Sequence, residues 1–342
     1  MSRLFIKAKG WGVVIPRGTR VCLVSEPRAF KAAGRAALAE LKKRGARASI
    51  FLLPAGEKAK TWLAVEKLLS FMLREGLGRD SFLVAVGGGA VTDPAGFAAA
   101  IYLRGIPWVS YPTTALGQLD AGLGGKTGIN LPEGKNLAGA FHDPAAVVCD
   151  AALLSRLPPA ERAAGLAEAL KIGLVFEPAL WRAISGNWLS LAAGRAPELL
   201  ENVVRRTAVW KLKVVARDPL EKAGARELLN FGHTIGHAFE SAAGYGRLRH
   251  GEAVVWGLRA AVRLSTVLAG LPLKEADAVE GFLEKISVPL PRLSADRVLA
   301  AAAKDKKARA GVLRFVLLRA LGKPVTRPVD ARLVRKVVED LL

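Results

Sequence analysis

Val84-Ala-Val-Gly-Gly-Gly-Ala-Val-Thr-Asp93 is the stretch that best indicates the fold, because an apolar run leads directly into three consecutive glycines. The run has the composition of a buried strand, and small residues follow at the start of a predicted helix. Glycines at such a junction let backbone N–H groups approach an anion at the positive end of the helix dipole. The stretch predicts a phosphate cradle, although glycines alone can also mark a tight turn. Its spacing is not the usual Gly-x-Gly-x-x-Gly dinucleotide fingerprint.

Short apolar runs alternate with helical patterns throughout the first half of the chain. This alternation is typical of a parallel sheet whose two faces are covered by helices. We therefore expect an α/β, Rossmann-like parallel-sheet domain over residues 1–157. The predicted strands are 21–25, 48–53, 82–86, 108–111 and 146–149, and the predicted helices are 28–44, 58–75 and 91–103.

The pattern changes after Leu157-Pro-Pro159, where long amphipathic stretches replace the strand-like runs. Apolar residues repeated with a period near 3.6 predict helices. We expect residues 158–342 to form a mostly α-helical domain. The predicted helices are 160–186, 196–216, 224–243, 251–269 and 274–286, and one small hairpin is predicted from 312–318 and 324–327.

The composition favours a large globular protein with an anionic ligand. The 342 residues are 51% hydrophobic, and 51 lysines and arginines against 30 aspartates and glutamates give a net charge of +21. This charge attracts nucleic acid, a membrane surface or a phosphorylated metabolite. The basic residues are spread along the chain, whereas nucleic-acid modules concentrate them. We expect a solvated basic surface and a small anionic substrate, with neither a nucleic-acid nor a membrane partner.

The cysteines and the hydropathy pattern also indicate which class of protein this chain belongs to. Cys22 and Cys149 each lie within an apolar run, so we expect buried packing residues, with neither a disulfide nor a thiolate metal site. Charges interrupt the first residues too often for a signal peptide. No apolar run approaches the roughly 18 residues of a membrane span. We expect a cytoplasmic protein.

Three of the four histidines, His233, His237 and His250, lie close together in the sequence. His233 and His237 are four residues apart, so they share a face of a helix. Imidazole binds metals and titrates near neutral pH, so this pair can hold a metal, move a proton, or divide those roles. Two packed core histidines are the alternative interpretation.

Glu168 lies in an otherwise apolar helical stretch, where a carboxylate needs a partner. Lys171, three residues later, shares its helix face. Together with two histidines, Glu168 would complete a site of three protein ligands with open positions, as in catalytic zinc sites. A surface pair between Glu168 and Lys171 is an equally good interpretation of the spacing.

A second group of glycines and lysines follows the triple glycine. Asp120-Ala-Gly-Leu-Gly-Gly-Lys-Thr127 is followed by Gly134-Lys-Asn136, and Thr113-Thr114 lies just upstream. Two lysines on flexible glycine-containing loops suit a polyanionic ligand at the carboxyl edge of a parallel sheet. Solvated loop lysines are the alternative.

With these motifs in this order, the chain resembles the 3-dehydroquinate synthase family over nearly its full length. The resemblance is specific because many short motifs match in sequence. They are Gly87-Gly-Gly-x-x-x-Asp93, Tyr102-Leu-Arg-Gly105, Pro112-Thr-Thr114, Gly124-Gly-Lys-Thr127, Gly134-Lys-Asn136, Ala167-Glu-x-x-Lys171, Leu229-Asn-x-Gly-His-Thr-x-Gly-His237, His250-Gly-Glu252 and Asp305-Lys-Lys307.

The resemblance implies an NAD- and metal-dependent carbon–oxygen lyase of the shikimate pathway, which leads to the aromatic amino acids. That family converts 3-deoxy-D-arabino-heptulosonate 7-phosphate, a phosphorylated seven-carbon sugar acid, to 3-dehydroquinate and phosphate. Transient oxidation by NAD, phosphate elimination, reduction and intramolecular aldol closure recycle the NAD. Zinc, or cobalt in its place, serves as a Lewis acid. Another sugar phosphate cyclase, or a metal-dependent polyol or glycerol phosphate dehydrogenase, is the alternative.

The resemblance also implies that the domain over 1–157 binds NAD and that the domain over 158–342 binds metal and substrate, and it implies residue roles. Glu168, His233 and His250 match the zinc ligands, which leaves His237 to handle a proton or contact phosphate. Arg104 matches an arginine that reaches the substrate phosphate of the neighbouring subunit, so we expect a homodimer. The positions that match the NAD site are Gly87, Gly88, Gly89, Asp93, Thr113, Thr114, Lys126, Lys135, Glu57 and Lys60. The positions assigned to catalysis are His237, Lys171, Asn230, Arg226 and Asp120, and those assigned to the substrate are Arg104, Lys126, Asn136, Lys211 and one of Lys306 and Lys307.

Overall fold

The computed structural model describes residues 3–6, 14–244, 246–303 and 313–342. The chain divides into two compact units, neither of which is one continuous segment. The first comprises Met1–Arg162 and Ala193–Leu220, and the second comprises Ala163–Ala192 and Glu221–Leu342. Residues 193–220 therefore belong to the first unit, although they fall within the range of the predicted helical domain.

A parallel sheet forms the centre of the first unit, as predicted. It contains all five predicted strands together with a sixth, β1. The strands of this unit are β1 (Arg3–Ile6), β2 (Arg20–Ser25), β3 (Arg47–Leu52), β4 (Phe82–Gly87), β5 (Trp108–Pro112), β6 (Lys126–Leu131), β7 (Gly134–Phe141) and β8 (Ala146–Cys149). The sheet has the order β1-β8-β5-β4-β2-β3, and its paired neighbours are all parallel.

Both faces of the sheet are buried. This explains why apolar residues run continuously along its strands and do not alternate with polar residues. On β2, Cys22 and Val24 belong to one hydrophobic cluster, whereas Val21 and Leu23 belong to another. Successive side chains of a strand point to opposite faces, so each cluster fills one side of the sheet. Cys22 and Cys149 are fully buried free thiols, which confirms the prediction that they are packing residues.

The segment between β5 and β8 corrects the sequence analysis. Lys126 and Lys135 were expected on flexible loops, but they lie on β6 and β7, which form an antiparallel hairpin. A Cβ atom on Gly139 would lie 2.0 Å from the Thr127 carbonyl oxygen. Gly139 is therefore needed for close pairing of β6 with β7.

Helices flank the sheet in the first unit and dominate the second. Those of the first half are α1 (Pro27–Ala29), α2 (Arg35–Lys43), α3 (Trp62–Arg74), α4 (Gly89–Ile101), α5 (Ala151–Ser155) and α6 (Pro159–Phe176). Those that follow are α7 (Pro178–Gly186), α8 (Trp188–Ala192), α9 (Pro197–Arg217), α10 (His233–Ala243), α11 (His250–Leu268), α12 (Leu273–Ile286), α13 (Ala295–Ala303) and α14 (Ala331–Glu339).

Three predicted helices are interrupted, each for a local reason. The helix predicted over 58–75 begins only at Trp62, because the Thr61 hydroxyl accepts a hydrogen bond from Ala64 N and caps it. The helix predicted over 224–243 is broken at Gly232, whose φ of 77° lies in the left-handed region. The helix predicted over 160–186 is split before Pro178, which starts α7.

The second unit packs its helices around a small hairpin, as predicted. Its strands β9 (Leu313–Ala320) and β10 (Lys323–Val329) are antiparallel. Phe239 on α10, Leu264 on α11 and Val334 on α14 are fully buried in the same hydrophobic cluster. Within the described ranges, no helix is both long enough and apolar enough to cross a membrane.

Helix α3 provides a stability test for the first unit. Leu68 is fully buried in the cluster between α3 and the sheet, whereas Leu63 on the same helix is 59% exposed. We expect Leu68→Ala to lower the free energy of unfolding by about 2–5 kcal/mol, because it leaves a cavity. Leu63→Ala should change it by less than about 0.5 kcal/mol. Urea unfolding of both variants measures the difference, and equal losses would contradict this core assignment.

Candidate active site

Three helices of the second unit bring the three predicted metal ligands together. Glu168 lies on α6, His233 begins α10 and His250 begins α11. Glu168 Oε1 lies 3.4 Å from His233 Nε2 and 3.2 Å from His250 Nε2. One carboxylate oxygen and two ring nitrogens therefore face a common point, although the residues are far apart in sequence.

The outer nitrogens of both rings face acceptors. His233 Nδ1 lies 3.2 Å from the Phe231 carbonyl oxygen, and His250 Nδ1 lies 3.0 Å from Glu240 Oε2. A carbonyl and a carboxylate accept hydrogen bonds, so a neutral ring carries its proton on Nδ1. A neutral ring held in this way has its lone pair on Nε2, on the side of Glu168, where a metal would bind. Metal-binding histidines are held in this way.

His237 lies beside this group on the same face of α10. Its ring centroid is 5.2 Å from that of His233 and 5.5 Å from that of His250. Ligand atoms of the three imidazoles lie within 4.8 Å of one another. His237 is exposed, whereas His233 is buried. The donor set of imidazoles and one carboxylate suits a divalent cation such as zinc.

The buried charges of this group are strongly coupled. Glu168 is fully buried, and Lys171 Nζ lies 2.5 Å from its Oε2. Burial alone would raise the pKa of Glu168, but Lys171 and His233 outweigh it and hold the pKa well below its usual value. Glu168 is therefore ionised at neutral pH and available to a cation. Glu168 and Lys171 therefore form a buried pair, and the alternative interpretation of a surface pair is wrong.

His233 and His250 have opposite pKa shifts. Burial and the nearby Lys171 lower the pKa of His233. Burial also opposes protonation of His250, but hydrogen bonds to Glu168 and Glu240 raise its pKa to about 10. A metal that bound at Nε2 would therefore have to displace a proton from His250.

Glycines allow the three helices to approach so closely. A Cβ atom on Gly251 would lie 1.8 Å from the Ala164 carbonyl oxygen of α6. A Cβ atom on Gly257 would lie 1.9 Å from the Gly232 carbonyl oxygen, just before α10. Helix α11 thus contacts the backbone of both neighbours, and these contacts set the distances between the ligands.

Two further predicted residues of the second unit, Arg226 and Asn230, lie near the start of α10. Arg226 and Asn230 belong to a 3₁₀ turn, Ala225–Asn230, that precedes Gly232. Arg226 is buried and Asn230 is partly buried. Lys306 and Lys307 lie outside the described residues.

The triple glycine has the predicted place in the first unit. Gly87 ends β4, Gly88 caps α4 without a side chain, and Gly89 begins the helix. A Cβ atom on Gly88 would lie 2.9 Å from Thr114 Cγ2, so the backbone packs against the turn after β5. Thr113 N also donates to the Gly87 carbonyl oxygen. With no acidic residue in its first turn, the positive end of α4 fits a phosphate group.

A chain of polar contacts runs from this cradle to the β6–β7 hairpin. Buried Lys60 donates to Asp93 Oδ2 at 2.6 Å and to the side-chain oxygen of Asn136. Glu57 accepts from Asn130 Nδ2 at 2.7 Å, and Asn130 Oδ1 accepts from Asn136 N. Burial raises the pKa of Asp93, and Lys60 partly opposes the rise. The structure thus joins Asn136, predicted to contact substrate, to residues predicted to bind NAD.

Asp120 and Lys211 form a second ionic contact in the first unit. Asp120 lies in a π-helical turn, Gly117–Ala121, and Lys211 lies on α9. Lys211 Nζ lies 2.6 Å from Asp120 Oδ1 and also contacts the Asp120 carbonyl oxygen. Lys126 and Lys135 are exposed on the hairpin.

Arg104 lies in a strained turn on the surface of the first unit. Leu103 and Arg104 have φ values of 49° and 69°, in the left-handed region that non-glycine residues rarely adopt. Both side chains are exposed. Strain of this kind is concentrated at functional positions.

Two family models match the chain in succession. The 3-dehydroquinate synthase N-terminal model matches residues 50–164, and the 3-dehydroquinate synthase C-terminal model matches residues 165–308. The 3-dehydroquinate synthase of Bordetella pertussis is 41% identical over 323 residues, which are 94% of this chain and 90% of that protein. That of a Nostoc species is 40% identical over 329 residues, 95% of this chain and 90% of that protein. The chain belongs to the 3-dehydroquinate synthase family.

Solved structures of two other cyclases are similar to this family member. A 2-deoxy-scyllo-inosose synthase complexed with carbaglucose-6-phosphate, NAD+ and Co2+ has a TM-score of 0.85 and 29% identity, over 95% of this chain and 91% of that one. The 2-epi-5-epi-valiolone synthase of Streptomyces hygroscopicus, with NAD+ and Zn2+ bound, has a TM-score of 0.87 and 28% identity, over 100% and 96%. The glycerol dehydrogenase of Schizosaccharomyces pombe, at 17% identity and a TM-score of 0.67 over 94% and 83%, shares the fold alone.

Sequence reasoning missed two polar residues that contact predicted site residues. Glu240 holds His250, and Asn130 links Glu57 to Asn136. Glu240 follows His237 by three residues, so the helical period places it on the histidine face. Asn130 lies in a strand, where asparagine is uncommon. The signal for Glu240 was present in the sequence, whereas the strand that contains Asn130 was not predicted.

The helix contact at Gly251 gives a prediction for this 3-dehydroquinate synthase family member. Gly251→Ala places a methyl group against α6, so we expect a loss of about 1–3 kcal/mol in stability, together with weaker metal binding. Gly281→Ala on α12 is the matched control, because nothing lies within 4 Å of its Cβ position. That variant should gain about 0.4–1 kcal/mol. Thermal unfolding with and without zinc measures both effects, and an unchanged Gly251→Ala variant would argue against the close contact.

Proposed function

We propose that this chain is a 3-dehydroquinate synthase, which converts 3-deoxy-D-arabino-heptulosonate 7-phosphate to 3-dehydroquinate and phosphate. The observation that carries the proposal is the convergence of Glu168, His233 and His250 in the second unit of a chain whose relatives have this name. The phosphate cradle at Gly87 to Gly89 adds independent support. Together these two features would give one chain a site for a metal and a site for a dinucleotide.

Glu168, His233 and His250 would hold the divalent metal. The ionised carboxylate and the two Nε2 atoms form a three-ligand set, which suits zinc or cobalt with an open position. A metal bound there would supply Lewis-acid chemistry, making a substrate hydroxyl easier to deprotonate. Lys171 holds Glu168 in place and balances its charge.

NAD would be held by the first unit. The start of α4 would face a phosphate, with Gly87, Gly88, Gly89, Thr113 and Thr114 forming the cradle. NAD supplies a reversible hydride acceptor, so it is used catalytically. Asp93, Glu57 and Lys60 would lie alongside it, and Lys126 and Lys135 would add positive charge from the hairpin.

The proposed substrate carries a dianionic phosphate and a carboxylate on one carbon chain. Cationic side chains are therefore suitable groups to bind it. Exposed His237 would exchange a proton with substrate or contact its phosphate, and its position beside His233 and His250 supports this role. Asp120 and Lys211, already joined, would act as one polar group. The other residues proposed to contact substrate are Lys171, Arg226, Asn230, Asn136, Lys126 and Arg104, with Lys306 as a further candidate.

We also propose that the active form is a homodimer. Arg104 is exposed in a strained turn, and Ile101 and Leu103 beside it are exposed apolar side chains. Apolar surface around an exposed arginine suits an interface between proteins. Arg104 would then reach the substrate phosphate of the partner subunit.

Turnover tests the proposed reaction. With catalytic NAD and zinc or cobalt, the purified protein should release phosphate from the heptulosonate phosphate without net NADH, because the hydride returns to the product. His250→Ala should lose metal and activity while its circular dichroism stays unchanged. Net NADH formed from glycerol or glycerol phosphate would instead indicate a dehydrogenase, and turnover of a sugar phosphate lacking the carboxylate would indicate another cyclase.

Gly89 gives a separate prediction for the cradle. Its Cβ position has no protein atom closer than 3.8 Å, so Gly89→Ala should fold normally. We expect it to weaken NAD binding by about tenfold or more, a loss of about 1.4 kcal/mol, because the methyl group crowds the phosphate. Isothermal titration with NAD measures the effect, with Gly281→Ala as the control. Wild-type affinity in Gly89→Ala would place the dinucleotide elsewhere.

A further inference from the structure

His250 is contacted at both ring nitrogens, and one of these contacts lies outside the proposed ligand set. Its Nε2 lies 3.2 Å from Glu168 Oε1, and its Nδ1 lies 3.0 Å from Glu240 Oε2. Glu240 is on α10, seven residues after His233 and on the same helix face. One helix therefore supplies both a proposed ligand and the carboxylate that holds another.

The two proposed ligand histidines are held by different kinds of acceptor. His233 Nδ1 faces the Phe231 carbonyl, a neutral group two residues away in the chain. His250 Nδ1 faces a carboxylate from a different helix. An ionised acceptor makes a stronger hydrogen bond, and its charge increases the basicity of the opposite ring nitrogen. Glu240 is also partly buried, with its side chain 20% exposed, so solvent only partly screens this charge.

The position of His250 makes such an acceptor necessary. His250 is the first residue of α11, so no preceding turn of that helix restrains its ring. A 180° ring flip would exchange Nδ1 with Cδ2 and Nε2 with Cε1, and would turn a carbon atom toward Glu168 in place of Nε2. The contact with Glu240 fixes one orientation and one tautomer.

We propose that Glu240 is a positioning residue that keeps His250 Nε2 directed at the metal and increases the affinity of the site for a divalent cation. The inference rests on the proposed metal site. In this role Glu240 acts through His250 and does not itself bind the ion. Its contribution is separable from that of the ligands, because its removal leaves Glu168, His233 and His250 in the chain.

Metal titration tests the proposal directly. The metal-free protein is titrated with Co2+ in competition with a chromophoric chelator. We expect Glu240→Gln to weaken Co2+ binding about 10- to 100-fold, the range found for partners of ligand histidines. Glu240→Asp should recover part of this loss, since it restores the charge on a shorter side chain.

Glu252→Gln is the matched control. It removes the same charge two residues from His250, but the Glu252 carboxylate contacts Arg249 instead. It should bind Co2+ within about twofold of the wild-type protein. Affinity in Glu240→Gln within twofold of wild type, or an equal loss in both variants, would overturn the proposal. A wild-type protein that binds no Co2+ would overturn the metal site itself, so the two failures are distinguishable.

Histidine-selective nitrogen NMR provides a test in the unaltered protein. The chain has only four histidines, so assignment needs few variants. With zinc bound, His250 should carry its proton on Nδ1, and the proton should be in a strong hydrogen bond. Glu240→Gln should shift this resonance and leave that of His233 in place. A proton on His250 Nε2 in the zinc form would overturn the proposal whether or not the variants fold.

Discussion

The proposed metal site depends on backbone contact between three helices. Helix α11 touches α6 at Gly251 and the turn before α10 at Gly257, where a single methyl group would overlap a carbonyl oxygen. At this separation the side chains of Glu168, His233 and His250 meet at one point. An alanine at either position would force the helices apart and so separate the proposed ligands. The glycines thus allow the close helix packing on which the proposed site depends.

Buried lysines paired with carboxylates are common to both units. Lys171 pairs with Glu168 in the second unit, whereas Lys60 pairs with Asp93 and Lys211 with Asp120 in the first. A lysine is rarely buried unless it is paired, because desolvation of the ammonium group is costly. Such pairs are poor sources of stability, so their presence at three predicted sites is better explained by function. The net charge of +21 of the whole chain is a separate property, which these three pairs do not explain.

Glycine has two distinct uses in this fold, and the sequence analysis recognised only one. Gly87 to Gly89 join β4 to α4, where the phosphate cradle is predicted. At Gly139 and Gly251 the absence of a side chain allows backbones to pack, in a strand pair and in a helix pair. Local sequence does not distinguish these uses, because the atom that a Cβ would meet belongs to a distant segment.

The sequence by itself determined the features that depend on near neighbours. Apolar runs and helical periods predicted the parallel sheet and most of the helices, and the four-residue spacing placed His233 and His237 on one face. The resemblance identified the family. Only the tertiary structure decided that Glu240 holds His250, that Asn130 links Glu57 to Asn136, and that residues 193–220 join the first unit. These contacts join segments that are distant in sequence or depend on side-chain direction, and a periodic pattern carries no information about which distant groups meet.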